Sequence, residues 1–279
     1  MEALPERFGV GLASSIAGVF GRRQKGARAN LRGNIARALA PTDGAVGDDL
    51  LELFVDRAFH SYGQYWAESA KLPAMSKSAI DERFTIAEGL EHLYEGRDRK
   101  RGTIIALPHV GSWEWGGAFL DSLGLGMTAV AEVLEPPALF DWFKAKREAI
   151  GIRVAPLDEH AGSTLLAALR DGGVVGLLCD RDIQGNGVEV EFFGERVALP
   201  PGPATLALRT GAMLVAAACY IGPGRDHFAV VSAPIAAERR GRLRDDVTRV
   251  TQAVASELEV LIRRAPEQWH VLEARFATP

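Results

Sequence analysis

The stretch "ALPHVGSWEWGG" at 106–117 places His109 five positions ahead of Glu114, directly after the apolar run "TIIAL". A histidine so placed suits general-base work if a carboxylate holds its other ring nitrogen, fixes the tautomer and stabilises the imidazolium. Four intervening residues allow one turn of chain, so a glutamate in the first turn of a following helix reaches back toward a strand-end histidine. The spacing alone is close to chance, with six histidines and 36 acidic residues in 279. Yet His60, His92, His160, His227 and His270 have Tyr65, Arg97, Leu165, Ser232 and Arg275 at the same offset, so His109 alone qualifies. It also stands at a strand's carboxyl end, where α/β sheets bind ligands. The plain alternative is a structural histidine in a buried turn.

A second polar cluster follows another apolar strand. "GLLCDRDIQGNGVEVEFFGERVALPPGPATLAL" sets Asp180, Arg181 and Asp182 straight after "VVGLLC". Three charges there are costly unless they are paired or functional. Between the clusters lie Glu132, in "VAEVLEPP", and Arg147, in "FDWFKAKREAIGI"; surface charge is the default for both. Other signatures fail. Ser112 lacks the G-x-S-x-G elbow, and "GLGMTA" precedes a strand where a dinucleotide fingerprint follows one. There is no phosphate-binding P-loop and no metal-ligand spacing. Cys179 and Cys219 sit in apolar runs with no charge partner to activate them.

The elements that must position these residues fall into two blocks. Residues 6–72 read as helical: "ARANLRGNIARAL" stops at Pro41, and Leu51, Phe54, Val55, Ala58, Phe59, Tyr62 and Tyr65–Trp66 recur at helical spacing up to Pro73. From residue 85, strands (103–107, 127–133, 152–157, 174–179, 213–222, 227–234) alternate with helices (113–123, 138–150, 161–171, 203–211). That pattern predicts an α/β fold with a mostly parallel or mixed sheet covered on both faces. An amphipathic helix follows, with Val247, Val250, Val254, Leu258 and Leu261 on one face. No linker divides the chain, so one domain over 1–279 is expected, with 1–72 as its helical layer and 85–279 as its core.

A net charge of −4 gives no argument for nucleic acid. Residues 1–40, however, carry Arg7, Arg22, Arg23, Lys25, Arg28, Arg32 and Arg37 against Glu2 and Glu6, beside the apolar "FGVGLASSIAGVFG". A basic, apolar segment suits an anionic membrane surface at roughly 1 kcal/mol per basic residue near the lipid; a solvated helix face is the alternative. The run is broken by glycines and falls short of the ~20 residues of a spanning helix, so a peripheral protein is expected.

Taken together, "LPHVGSWEW", "CDRDIQGNGVEVEFFGE", "PPGPATLALRTGA" and "PEQWHVLEARF" resemble the bacterial lipid A late acyltransferase superfamily. The likeness is greatest to its actinobacterial branch, the phosphatidylinositol mannoside acyltransferases, and runs over nearly the whole chain. H-x4-E alone is widespread among glycerolipid-type acyltransferases; its combination with the "DRD…GVEVEFFGE…GPA" block is more specific. The resemblance implies transfer of a palmitoyl chain from acyl-CoA to a mannose hydroxyl of a phosphatidylinositol mannoside, at the cytoplasmic face of the cell membrane. It implies no cofactor or metal, acyl-CoA being a co-substrate. His109 is then the base, and Glu114 belongs to the family signature. A further carboxylate orients His109, Asp180 before Asp182, and all three acids stay open as the one touching the ring. Glu132 and Arg147 match positions that line the substrate site, and Arg181 and Asp182 are further candidates. Trp113, Trp115 and Phe119 are candidates for an acyl groove or for plain core. Acylation of a lipid A precursor, thioesterase-like hydrolysis and a non-enzymatic lipid-binding module remain the competing readings.

Overall fold

A computed structural model describes residues 6–40, 46–98, 101–224 and 226–276. The first helices are α1 (Glu6–Arg23), α2 (Lys25–Leu39) and α3 (Asp48–Lys71), the layer expected from the helical spacing. On α3, Leu51, Val55, Ala58 and Phe59 are buried with Leu31 and Ile35 of α2. Trp66, expected on that face, is 37% exposed instead. Helix α1 packs on α3 through Gly21, where a Cβ would stand 2.4 Å from the Phe59 ring. Helix α2 ends just ahead of Pro41, which lies outside the described residues.

Among the described residues, three of the N-terminal basic side chains are neutralised from within. Arg28 pairs with Glu52 and Asp56, Arg32 with Asp48 and Glu52, and Arg37 with Glu195. Arg23 and Lys25 remain exposed; the side chains of Arg7 and Arg22 lie outside those described. Among the described residues, no helix is long and apolar enough to cross a membrane.

The second block runs α4 (Lys77–Asp81), β1 (Phe84–Glu88), α5 (Leu90–Asp98), β2 (Thr103–Leu107), α6 (Trp113–Ser122), β3 (Met127–Ala131), α7 (Pro137–Glu148), β4 (Arg153–Pro156), α8 (Ala161–Arg170) and β5 (Val174–Leu178). A hairpin of β6 (Val188–Phe192) and β7 (Glu195–Leu199) precedes α9 (Gly202–Thr210), β8 (Met213–Ile221), β9 (His227–Val231) and α10 (Leu243–Arg264). Seven strands form one sheet in the order β1-β9-β8-β2-β5-β3-β4. All neighbours are parallel except β8 and β9.

Both faces of this sheet are covered, and the two-residue period of a strand divides the core between them. Ile104, Ala106, Leu214, Ala216 and Ala218 face α8, α9 and α10. Ile105, Leu107, Val215, Ala217 and Cys219 face α6. The hairpin was not expected, because its turn carries no Asn-Gly or Asp-Gly cue. Phe193 and Gly194 both adopt positive φ, 51° and 78°, and Phe193 is held there by burial and by its N–H donating to Glu259 at 2.7 Å. Strand β1 and helix α5 also escaped the sequence reading, the first being short and exposed on alternate positions.

Helix α10 buries the stripe read from the sequence, with Val250 and Leu258 at 0% exposure. Leu258→Ala is expected to lower the unfolding free energy by about 2–5 kcal/mol, the range for an uncollapsed core cavity, measured by urea denaturation. A change under ~1 kcal/mol would contradict the burial of Leu258, since even a collapsed site loses the transfer free energy of the side chain.

Candidate active site

The parallel pairing of β2 with β5 sets Leu107 opposite Leu178. Two residues further along each strand come His109 and Asp180, which therefore emerge side by side at the carboxyl edge of the sheet. Asp180 Oδ1 meets His109 Nδ1 at 2.5 Å. Its other oxygen accepts the His109 backbone N–H at 2.9 Å and the Trp269 indole N–H at 2.8 Å. The Asp180 side chain has no solvent exposure, while that of His109 is 23% exposed. Burial would raise the Asp180 carboxyl, but the His109 charge and these three hydrogen bonds outweigh it and bring the group down to about 2. An ionised carboxylate only accepts, so Nδ1 carries a proton, and in the neutral ring Nε2 is the acceptor nitrogen.

Glu114 does not touch the ring. The left-handed Gly111, at φ 58°, turns the chain between them. Its N–H donates to Gln268 and that of Ser112 to Cys219, both at 2.9 Å. No other residue fits here: a Cβ at Gly111 would sit 2.0 Å from the Cys219 carbonyl oxygen. Helix α6 then carries Glu114 toward α3 and α7. There its Oε1 accepts from Tyr65 at 3.0 Å and from Arg147 at 3.3 Å. Burial, then the Glu114 charge, push the Tyr65 phenol well above its ordinary value, so it stays a donor. The Arg147 guanidinium lies over Trp113 and Phe143, 4.9 and 5.8 Å from their centroids.

The charges of the "DRD" cluster separate into different tasks. Asp180 holds His109, whereas Arg181 makes a two-pronged pair with Glu273, at 3.0 and 2.5 Å. Asp182 accepts the N–H groups of Gly185 and Gly187, at 3.0 and 2.8 Å, and so shapes the loop before β6. Glu132 is exposed just beyond β3. Both cysteines are buried; burial raises the Cys179 thiol and pushes Cys219 up to about 12, which leaves neither as a nucleophile. Beneath α6 the apolar core leaves a small void of about 30 Å³, lined among others by Leu107, Trp113, Gly117 and Cys219. Trp115 instead stacks on His227 at 4.2 Å, and Phe119 on Phe84 at 5.0 Å, so both are core.

The sequence reading gave no role to Gln268, Trp269 and His270. Their segment crosses the His109 loop as a short antiparallel bridge between Val110 and Trp269, with the His270 N–H donating to the His109 carbonyl at 2.8 Å. His270 Nε2 meets the Ser61 hydroxyl at 2.8 Å, and its ring packs 5.6 Å from both Tyr62 and Tyr65. Burial, then the positive charge on His109, bring His270 down to about 3. No spacing rule connects this segment to His109; the one available signal was the motif "PEQWH" itself.

The comparisons with known proteins cover nearly the entire chain. Residues 1–278 match the model of the bacterial lipid A biosynthesis acyltransferases. The chain belongs to that family. This member is 33% identical to the phosphatidylinositol mannoside acyltransferase of Mycolicibacterium smegmatis over 279 residues, 99% of the chain and 88% of that protein. It is 34% identical to the protein of the same name from Mycobacterium tuberculosis over 280 residues, 99% and 85% of the two chains. The lipid A biosynthesis acyltransferase of Haemophilus influenzae is 24% identical over 220 residues, 78% and 67% of the two chains. The chain is therefore an acyltransferase.

His270 makes this acyltransferase acid-sensitive in a defined window. Its folded-state value near 3 lies below the ~6.5 of a free histidine, so between the two the unfolded chain binds a proton that the native chain refuses. Stability falls as pH drops from about 6.5 toward 3. Asp180, lowered to about 2, contributes stability above the ~3.9 of a free aspartate and loses it only nearer pH 2. His270→Asn is expected to lose less stability between pH 7 and pH 4 than the unaltered protein, by urea unfolding at both values. Equal losses would contradict the assignment.

Proposed function

We propose that this acyltransferase moves a palmitoyl group from acyl-CoA to a mannose hydroxyl of a phosphatidylinositol mannoside, with His109 as general base. The acceptor follows from the names of the two mycobacterial relatives; the step follows from the His109–Asp180 pair. The mannose hydroxyl gives its proton to His109 Nε2 as its oxygen attacks the thioester carbonyl. The tetrahedral intermediate collapses with loss of the CoA thiolate, and the imidazolium returns the proton to sulfur. Asp180 stays ionised throughout and stabilises the imidazolium. A thioester is already activated, so a base and a site for the oxyanion suffice for the step.

In this reading the acyl chain enters beside Leu107 and Trp113, which bracket the His109 loop, by widening the small void they line beneath α6. Glu132 and Arg147 belong to the acceptor and donor side, and Arg181 and Asp182 shape the wall beyond Asp180. The protein works peripherally at the cytoplasmic face of the membrane. Ile16 and Val19 of α1, 59% and 44% exposed, with Arg23 and Lys25 following, offer an apolar and basic edge for anionic lipid.

His109→Ala is expected to cut CoA release from palmitoyl-CoA in the presence of phosphatidylinositol mannoside by about 10²–10⁴-fold, the usual worth of a general base. Asp180→Asn should cost a comparable factor with unchanged circular dichroism, by destabilising the useful tautomer. Full transfer in His109→Ala would remove His109 as the base, and no CoA release by either form would point to a lipid-binding module. CoA release equally fast without acceptor would point to a hydrolase.

A further inference from the structure

We propose that Trp269 is a positioning residue for the acyl transfer, its indole N–H holding the Asp180 carboxylate in the one orientation that serves His109. The inference rests on the proposed role of His109 as base. Asp180 sits at the end of β5 with four lone-pair directions to satisfy and no solvent to help. Oδ1 goes to the imidazole, so the rotation of the carboxylate is decided by what holds Oδ2. Two donors do so: the His109 backbone N–H and the Trp269 indole. The backbone N–H belongs to His109 itself, whereas the indole comes from a segment that is also tied to β8 and α3. The indole is the independent anchor.

Trp269 is itself immobilised. It is fully buried, lies 5.7 and 6.1 Å from the Phe193 and Phe192 rings, and bridges Val110. The residues on either side pin the segment to other elements. Gln268 closes a two-way pair with the Ile221 backbone at the end of β8, at 2.7 and 2.9 Å, and His270 reaches Ser61 on α3. Three consecutive side chains thus tie β8, β5 and α3 to one strap across the catalytic loop, and the middle one ends on the acid. A tryptophan placed only to fill the core has no need of an N–H aimed at a buried carboxylate.

The test replaces Trp269 in the full chain and reads quantities that packing alone does not move. Trp269→Phe keeps an aromatic ring and deletes the donor; a benzothienylalanine introduced at the same position keeps the shape of the indole and deletes only the N–H. For both, kcat is expected to fall about 10–100-fold, by analogy with the loss of a hydrogen-bond partner behind a metal-ligating histidine, with KM for palmitoyl-CoA within about twofold. The acid limb of kcat/KM should move to higher pH, because a carboxylate with one donor fewer is more basic and holds the proton on its partner more tightly. The downfield proton resonance of His109 Nδ1–H should shift or broaden, a signature that needs no turnover. In an Asp180→Asn background, Trp269→Phe should cost almost nothing more. The proposal is overturned if the isosteric variant keeps kcat, acid limb and resonance unchanged. It is equally overturned if activity falls only in step with the folded fraction while the acid limb stays in place. If the protein proves to release CoA only to water, the mannoside acceptor is lost but the Trp269 comparison stands, since hydrolysis also draws on His109.

Discussion

A full negative charge at Asp180, with no solvent exposure, is the constraint that organises this protein. An ion taken out of water costs several kcal/mol unless its partners replace the lost hydration. Here the replacement comes from three directions: the imidazole beside it, the backbone of the same residue, and an indole from the far end of the chain. Each donor requires an element to be in place. The register of β2 on β5 delivers the imidazole and the His109 backbone N–H, and the strap after α10 brings the indole. The arrangement also explains why the second acid of the opening motif is elsewhere. A carboxylate from Glu114 placed on the same side would repel Asp180, whereas on the α3 and α7 side it meets Tyr65 and Arg147.

The same logic separates the site into the His109–Asp180 pair and a framing half. His109 and Asp180 sit where the sheet ends. Glu114, Tyr65 and Arg147 lock α6, α3 and α7 together one turn away. Arg181 and Asp182 continue the frame on the opposite flank by holding Glu273 and the loop before β6. Charges that looked redundant in "DRD" therefore have separate partners. That is what allows three ions to follow a buried strand without mutual repulsion dominating.

Much of this was legible in the sequence, for definite reasons. Strands β2, β5 and β8 are buried on both faces, so they read as uninterrupted apolar runs. The position of His109 beyond "TIIAL" could be read for the same reason. Asp180 was the leading partner on resemblance, but what seats it on the ring is the register between strands whose key residues lie 71 positions apart. No local pattern encodes that register. The Trp269 contact spans 89 positions and hangs on a segment without regular periodicity, which put it beyond reach. The hairpin was hidden differently: its Phe-Gly turn is held open by tertiary burial of Phe193, a case of packing overriding local propensity.

The strap at 266–271 has a consequence for how the protein comes into being. Chains emerge from the ribosome N-terminus first, and contacts between distant segments form late. The helical layer and the sheet strands can thus collapse while the carboxylate at Asp180 still lacks its last donor. The hydrogen bonds around His109 and Asp180 are completed only when Trp269 and His270 dock. A chain lacking that segment leaves the Asp180 carboxylate one donor short and the core beside Phe192 and Phe193 unfilled.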